Sequence, residues 1–234
     1  MTRDTDYDDF AEAYSAENET SLLNGFYERP AMINLAGDVR GRRVLDAGCG
    51  SGPLAQALGD RGARVTGFDS SEAMIALARQ RLGAEAELLL ADLGRPLPFG
   101  DDAFDDVVAS LVFHYLEDWL GPLREVRRVL RPGGRLIMSV NHPILYPWTN
   151  PGSDYFKPTR YSDELVFDGQ PAILTYWHRP LHAMTDAFAE AGFQIEVVGE
   201  PPFSAEAPPE LIPPQCEGRD SFLSFIFFVL RVKP

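Results

Sequence analysis

The chain has few cysteines, no long apolar run and a shortage of positive charge. Its 234 residues include two cysteines, too few for a disulfide framework or a cysteine-rich cluster, and we expect no metal site. No apolar run reaches the length of a membrane span and residues 1–6 lack an apolar signal core, so we expect a cytoplasmic protein without a membrane partner. The formal net charge of −14 opposes binding to nucleic acids and anionic lipids. This charge permits a neutral or cationic small molecule as partner.

The composition is sufficient for one folded α/β domain. Hydrophobic residues make up 45% of the chain, which is enough to form a core under a doubly wound sheet. Between residues 42 and 140, strand-like and helix-like segments alternate in the pattern of parallel βαβ units. In residues 7–35 the apolar spacing predicts two helices, with a break near residues 15–21 and another at Pro30.

A glycine-rich turn marks the first candidate ligand site. Residues 44–52 (VLDAGCGSG) read as a strand, a turn with glycines at alternate positions, and the start of a helix. A second strand-like run, residues 64–68, ends at Asp69, about 20 residues after the glycines, where an acid can bind the hydroxyl groups of a ribose. A helix follows, with Ser70 or Ser71 at its N-terminus. The spacing predicts a cofactor that contains a nucleoside.

Two kinds of cofactor use such a turn, dinucleotides and S-adenosylmethionine (SAM). Residues 50–55 (GSGPLA) fit a variant of the dinucleotide pattern, so an NAD-dependent oxidoreductase is one hypothesis. Asp46, at the end of the first strand, would repel a pyrophosphate but would attract the ammonium and sulfonium groups of SAM. The acid at this position favours SAM.

Several spaced motifs together resemble a known family. Residues 44–52 and Asp69 look like the first two motifs of the class I SAM-dependent methyltransferases. The segments that resemble its small-molecule branch, related to quinone-biosynthesis methyltransferases, are residues 91–93, 97–116 and 129–137. The resemblance covers residues 42–140 and implies a Rossmann-like, doubly wound, mostly parallel seven-stranded sheet with helices on both faces.

The resemblance also implies how the chain is organised. We expect a single domain over residues 1–234, with an N-terminal helical lid (1–40) and a cofactor-binding core (41–140). A substrate cap (141–180) would follow the fifth strand, and the last helix and strands would occupy residues 181–234. The expected reaction moves a methyl group from SAM to an oxygen, nitrogen or carbon of a small metabolite. A SAM-binding protein with other chemistry is the further alternative.

The same resemblance assigns residues to the cofactor. Asp46 would face its amino-acid end, Asp69 its ribose and Met74 its adenine ring. Asp92 would bind the adenine amino group with help from the main chain of Leu93. Tyr14 and Arg29 each carry a polar end that can reach the cofactor carboxylate. The remaining candidates are the loop glycines and residues near the strand ends: Gly48, Gly50, Gly52, Ser70, Ala91, Ser110 and Leu111.

Catalytic and substrate-binding candidates lie after the fourth and fifth strands. Residues 141–180 are rich in proline and aromatic residues and lack sustained periodicity, which is typical of a functional loop. If the acceptor is a phenol or alcohol, a histidine base is expected, with His142 first and His114 second. His182 is expected to be structural. The substrate-binding candidates are Tyr115, Trp148, Tyr155, Tyr161 and His178.

Overall fold

The structure, a computed structural model, describes residues 7–233. Residues 1–6, the start of the predicted lid and the segment without an apolar signal core, lie outside the described residues. Over residues 7–233 a seven-stranded sheet has the strand order β3-β2-β1-β4-β5-β9-β8, and a second sheet pairs β6 with β7. The strands are β1 (Arg43–Ala47), β2 (Arg64–Asp69), β3 (Glu87–Leu90), β4 (Phe104–Ser110), β5 (Leu130–Asn141), β6 (Thr159–Phe167), β7 (Gln170–His178), β8 (Phe193–Gly199) and β9 (Phe225–Val232).

Strands β1 to β5 run parallel to one another, and β9 lies antiparallel between β5 and β8. The helices that the described residues form are α1 (Ala11–Thr20), α2 (Arg29–Ala36), α3 (Pro53–Gly59), α4 (Glu72–Leu82), α5 (Leu120–Val129), α6 (Leu145–Thr149) and α7 (Leu181–Glu190). Among the described residues, no helix is both long and apolar enough to cross a membrane.

Helices cover both faces of the large sheet, because successive strand residues point to opposite sides. Val44 packs in the core cluster that contains Leu58 of α3, whereas its neighbour Leu45 packs in the cluster that contains Leu123 of α5 and Phe188 of α7. All five of these side chains are fully buried. The predicted seven-stranded, mostly parallel fold with helices on both faces is confirmed.

The N-terminal helices have one of the two predicted breaks. Helix α1 ends at Thr20, and Ser21, which is extended and lies within the predicted range 15–21, caps a π-helical segment, Leu22–Glu28. The chain stays helical through Pro30, which occupies the first turn of α2. Proline is tolerated there because a first-turn N–H has no partner within the helix. The predicted break near residues 15–21 is therefore present at Ser21, whereas the break predicted at Pro30 was wrong.

Residues 141–180 are more regular than the sequence suggested. They contain α6 and a long hairpin of β6 and β7, which is closed by the two-residue turn Asp168–Gly169. Both turn residues have positive φ values, 46° and 78°, as a type I′ turn requires. One hairpin face packs on α1, where Phe167 stacks on Phe10 with ring centroids 5.7 Å apart. The prediction of an aperiodic loop was wrong.

Two further segments contain proline without forming an exposed loop. Residues 132–134 (PGG), a sequence typical of a turn, are an irregularity within β5, where the register against β4 shifts between Phe104 and Asp106. In the proline-rich stretch 201–214, Phe203 and Ala207 are buried in the core beside α2 and α3.

Candidate functional site

The glycine turn after β1 lines a cavity at the carboxyl ends of the parallel strands. Gly48 and Gly50 have φ values of 73° and 53° and line this cavity. A Cβ atom on Gly48 would lie 2.5 Å from Cγ2 of Val112, so a side chain does not fit there. Gly52 also has a positive φ, of 82°, but a Cβ atom on it would meet Leu82 of α4. The structure thus brings two of the three predicted glycines to the cavity and uses the third for helix packing.

The cavity, which we call the main cavity, has a volume of about 290 Å³. It lies at the carboxyl ends of β1 to β4, where parallel sheets bind ligands. A smaller side cavity adjoins it and shares Tyr14, Gly48, Gly50, Ser110 and Leu111 with it. The predicted residues that line only the main cavity are Asp69, Ser70, Met74, Ala91, Asp92, Leu93 and Tyr115, and those that line only the side cavity are Arg29 and Asp46.

Asp69 is held at the cavity by backbone donors. Its Oδ2 accepts a hydrogen bond from the N–H of Gly50 and its Oδ1 accepts one from the N–H of Ser71, both at 2.9 Å. Burial raises the pKa of this carboxyl above its ordinary value despite these donors. A carboxylate has about four acceptor positions, so Asp69 retains capacity for the two hydroxyls of a ribose.

The far end of the main cavity combines apolar and exposed polar groups. Met74 is buried on the first turn of α4, whose N-cap is Ser71, rather than Ser70. Asp92 follows β3 with half of its side chain exposed, and its Oδ1 accepts a hydrogen bond from the N–H of Gly94 at 2.8 Å. An apolar side chain near an exposed acceptor suits an adenine ring and its amino group.

The side cavity contains buried acids. Asp46 is 1% exposed, and neither of its carboxylate oxygens has a hydrogen-bond partner among the described residues. Burial, together with the neighbouring acids Glu28 and Asp69, raises the pKa of Asp46 to about 7. Arg29 donates instead to Glu19 Oε2 at 3.1 Å and to the carbonyl of Asn18 at 2.8 Å. The cavity therefore favours a cationic ligand group.

These residues fit the cofactor expected from the sequence. The unpartnered carboxylate of Asp46 suits the ammonium and sulfonium end of SAM, because a buried acid gains most from a nearby cation. The same acid would repel a pyrophosphate. Gly48 and Gly50 line the cavity without side chains, which lets a ligand approach the backbone of the turn. The donor set and the charge both favour SAM over a dinucleotide.

Leu111 lines both cavities, together with Ser110. Its φ is 54°, in the left-handed region that a leucine rarely adopts. Its N–H donates to the hydroxyl of Ser139 at 3.0 Å, which holds the strained backbone in place. Such strain concentrates at functional sites.

Tyrosines line the other end of the main cavity. Tyr7, Tyr14 and Tyr115 line it together with Thr175 of β7. The hydroxyl oxygens of Tyr7 and Tyr115 lie 2.5 Å apart, so one donates a hydrogen bond to the other. Burial raises the pKa of both phenols well above the ordinary value. These hydroxyls stay protonated at neutral pH and act as hydrogen-bond donors.

His114 lies behind this tyrosine wall. Its Nδ1 accepts a hydrogen bond from the N–H of Asn141 at 3.1 Å, and its Nε2 has no partner among the described residues. Its ring packs against Tyr115 and Tyr176, with centroids 4.6 and 5.1 Å away. Burial lowers its pKa to about 3, so the ring is neutral.

His142 lies outside both cavities. Its Nδ1 accepts a hydrogen bond from the N–H of Ile144 at 3.2 Å, so its Nε2 carries the proton and donates to Glu200 at 2.7 Å. Both ring nitrogens are therefore engaged within the protein. The geometry does not favour this histidine as a base for a ligand in the main cavity.

The other substrate-binding candidates lie within residues 141–180 and do not line the main cavity. The hydroxyl of Tyr161 accepts a hydrogen bond from Asn141 Nδ2 at 3.2 Å, and that of Tyr155 accepts one from the N–H of Leu181 at 3.0 Å. His178 is buried, and its Nε2 donates to the carbonyl of Tyr155 at 2.8 Å. Trp148 is 73% exposed. Of these five candidates, the structure brings only Tyr115 to the cavity wall.

Among the cavity residues that were not singled out from the sequence are Tyr7, Glu28 and Thr175. Tyr7 and Glu28 lie in the N-terminal helices, outside the spaced motifs. Thr175 lies on β7, in the hairpin of β6 and β7. The Asp168–Gly169 turn, which apolar residues flank, is the sequence signal that predicts this hairpin.

Comparisons with known proteins show which family the chain belongs to. A family model described as a methyltransferase domain matches residues 45–138. The demethylmenaquinone methyltransferase of Clavibacter sepedonicus is 31% identical over 184 residues, which cover 77% of this chain and 75% of that protein. The malonyl-[acyl-carrier protein] O-methyltransferase of Serratia marcescens is 37% identical over 108 residues, 46% of this chain and 42% of that protein.

A solved structure shares the same architecture. The SAM-dependent methyltransferase of Mesorhizobium loti is 28% identical, with a TM-score of 0.64 over 86% of this chain and 96% of that one. The sequence relatives, the fold and the acid-lined glycine turn all agree, and they do not support the dinucleotide alternative. The chain belongs to the class I SAM-dependent methyltransferases, related to the quinone-biosynthesis enzymes, and SAM is its cofactor.

Proposed function

We propose that this enzyme transfers the methyl group of SAM to an oxygen, nitrogen or carbon nucleophile of a small, partly aromatic metabolite. The observation that supports this most directly is the mixed lining of the main and side cavities. They hold several acids, and they also hold Thr175 and a cluster of packed, uncharged tyrosines, Tyr7, Tyr14 and Tyr115. The net charge of −14 opposes polyanions, so we propose no nucleic-acid acceptor.

The chain's own residues would divide the binding of SAM among them. When bound, SAM supplies an electrophilic methyl group on a sulfonium centre. Asp69 would hold the ribose hydroxyls, and Asp92 and Met74 the adenine. Asp46 would face the amino-acid end, with Tyr14 and Arg29 near its carboxylate. These assignments follow the positions of the residues around the two cavities.

The protein would accelerate the reaction mainly by positioning the acceptor and excluding water. Because the leaving thioether is neutral, no oxyanion needs to be stabilised on that side. Holding the reactants in line removes much of the entropic barrier. The main cavity is lined by Tyr7 and Tyr14, which precede the sheet, and by Thr175 of β7. These side chains would exclude water from the reacting groups.

We propose that neither candidate histidine acts as the base. His142 is engaged on both nitrogens, and the low pKa of His114, about 3, makes it a weak base near neutral pH. The acceptor would then attack through an atom that is already nucleophilic, such as a neutral amine, an electron-rich ring carbon or a phenolate. The Tyr7–Tyr115 pair would donate a hydrogen bond to a polar group of that acceptor.

The experiment is a turnover assay with SAM and a panel of acceptors. The panel contains planar quinols, phenols and aryl amines, and the readout is S-adenosylhomocysteine (SAH) formed, measured by mass spectrometry. We expect SAH to form with at least one aromatic class and not without acceptor. An enzyme that binds SAH but forms none with any acceptor would contradict the proposed substrate class. The Tyr115→Phe variant should raise the KM for the active acceptor while leaving SAH affinity unchanged.

A further inference from the structure

Glu28 is a buried acid that the assigned cofactor contacts do not use. It ends the π-helical segment Leu22–Glu28 and is 3% exposed. Its Oε1 accepts hydrogen bonds from the hydroxyls of Ser110 at 2.7 Å and Ser139 at 2.5 Å. Single π-helical turns are rare and occur frequently at functional sites. The two serines fix the carboxyl at the edge of the side cavity.

A second buried acid lines the same cavity without a partner. Asp46 is 1% exposed, and among the described residues neither of its oxygens receives a hydrogen bond. Arg29, which lines this cavity too, directs its guanidinium to Asn18 and Glu19. A buried pair of carboxylates without a cation is unfavourable, so it retains a proton.

We propose that Glu28 and Asp46 form a two-carboxylate subsite for the ammonium group of SAM, and that they hold a proton in its place when the site is empty. This inference rests on SAM as the cofactor. The ammonium group arrives with its own charge, and the proton that it displaces goes to the solvent. Every other part of the cofactor keeps the contacts proposed above.

The groups around this pair support a protonated state near neutral pH. Burial raises the pKa of Glu28, and burial with Glu28 and Asp69 raises that of Asp46 to about 7. The other titratable or charged groups that line the side cavity are Tyr14 from α1, Arg29 from α2 and Cys49 from the glycine turn. Burial raises the pKa of Tyr14 and of the Cys49 thiol, so both stay neutral, and Arg29 only partly offsets the effect on Glu28.

The test is calorimetric titration of the full chain with SAH at pH 7, in buffers that differ in ionisation enthalpy. The variants are Glu28→Gln, which keeps the acceptor oxygen for both serines, and Asp46→Asn. The matched control is Glu12→Gln, the same change at an exposed position of α1. A second probe, N-acetyl-SAH, lacks the positive charge. Thermal denaturation checks that each variant is folded.

For the wild type and for Glu12→Gln we expect release of roughly half a proton or more per SAH bound. Glu28→Gln should weaken SAH binding by about tenfold or more and release fewer protons, because one carboxylate of the pair is lost. Its affinity for N-acetyl-SAH should match that of the wild type within about twofold. Should Glu28→Gln misfold, Asp46→Asn must give the same three results.

Other outcomes distinguish a failure of the two-carboxylate subsite from a failure of the cofactor assignment. If SAH binds the wild type but Glu28→Gln keeps the same affinity and proton release, the subsite is wrong and the cofactor assignment stands. If both probes lose affinity equally in Glu28→Gln, Glu28 acts only through the shape of the cavity and the proposal is overturned. If SAH does not bind the wild type, the cofactor assignment itself fails.

Discussion

At the scale of single residues, a substitution of Asp69 tests SAH binding in a protein that still folds. Its two oxygens accept hydrogen bonds from Gly50 and Ser71, so an alanine would also loosen the glycine turn. Asp69→Asn keeps one acceptor oxygen and removes the charge. We expect SAH affinity to fall by about tenfold or more, because hydrogen bonds from ligand hydroxyls to a carboxylate are stronger than those to an amide.

The control for Asp69→Asn is Asp60→Asn, the same change at an exposed position after α3. Both variants should fold, with Asp60→Asn melting as the wild type does and Asp69→Asn slightly below it, because one backbone N–H at the turn loses its acceptor. Equal SAH affinity in Asp69→Asn and the wild type would remove Asp69 from the ribose site.

The buried acids also predict how stability depends on pH. The pKa of Asp46 is about 7 in the folded protein, against an ordinary value of 3.8, so between these values the folded state binds more protons than the unfolded state. The free energy of unfolding of the ligand-free protein should therefore fall as the pH rises through this range. Asp46→Asn should remove part of this slope, and its stability relative to the wild type should grow by about 1 kcal/mol or more between pH 5 and pH 8.

Urea denaturation at pH 5, 6, 7 and 8 measures this difference. Glu28 and Asp69 also have raised pKa values, so a smaller slope of the same sign should remain in the variant. Parallel stability profiles for wild type and Asp46→Asn would contradict the account of the side cavity.

The sequence predicted part of the site at this scale, and the physical reason is spacing. Gly48, Asp46 and Asp69 lie at fixed distances around one strand–turn–helix unit, and the local chain brings them together. Glu28 and Tyr7 reach the site only through the packing of the N-terminal helices on the sheet. No local spacing encodes that packing, so neither residue could be identified from the chain alone.

At the scale of elements, the hairpin of β6 and β7 packs against the N-terminal segment, residues 7–20. Phe167 is 8% exposed, stacks on Phe10 and meets the edge of Tyr14 at 5.3 Å. Phe167→Ala removes these contacts and should destabilise the N-terminal segment by about 3 kcal/mol. We expect faster hydrogen–deuterium exchange over residues 7–20 and weaker SAH binding, since Tyr7 and Tyr14 line the cavity.

Val166→Ala is the matched control in the same strand, because Val166 is 62% exposed. It should leave exchange in residues 7–20 unchanged. Unaltered exchange in Phe167→Ala would show that the hairpin does not hold this segment.

The elements also show why a prediction from periodicity succeeds in one place and fails in another. The apolar stripe of residues 119–130 predicts one helix, and α5 spans Leu120–Val129 with its apolar residues buried. The hairpin instead carries exposed apolar residues such as Val166 and Ile173 beside buried ones, which obscures the alternation of its strands. Its turn chemistry was the clearer signal.

At the scale of the whole molecule, a buried ion-pair cluster and the ligand cavities lie at opposite ends of the parallel strands. Asp106 lies near the start of β4 and is fully buried. Its Oδ1 accepts a hydrogen bond from Arg42 Nη2 at 2.7 Å and another from Arg135 Nε at 2.8 Å. Asp106→Asn leaves two guanidinium groups without their common partner and should cost about 3 kcal/mol of stability.

Denaturant midpoints check this effect, with Asp102→Asn at an exposed position as the control. The cavities lie at the carboxyl ends of the strands, so the folded fraction of Asp106→Asn should bind SAH as the wild type does. A large loss of SAH affinity in a folded Asp106→Asn protein would contradict this separation.

The central claim is that the glycine turn and its buried acids bind SAM. Calorimetric titration of the purified protein with SAH, with NADH in parallel, tests it most directly. The account predicts saturable binding of SAH at one site per chain and no binding of NADH, because the acids at the turn repel a pyrophosphate. Binding of NADH without binding of SAH would contradict it.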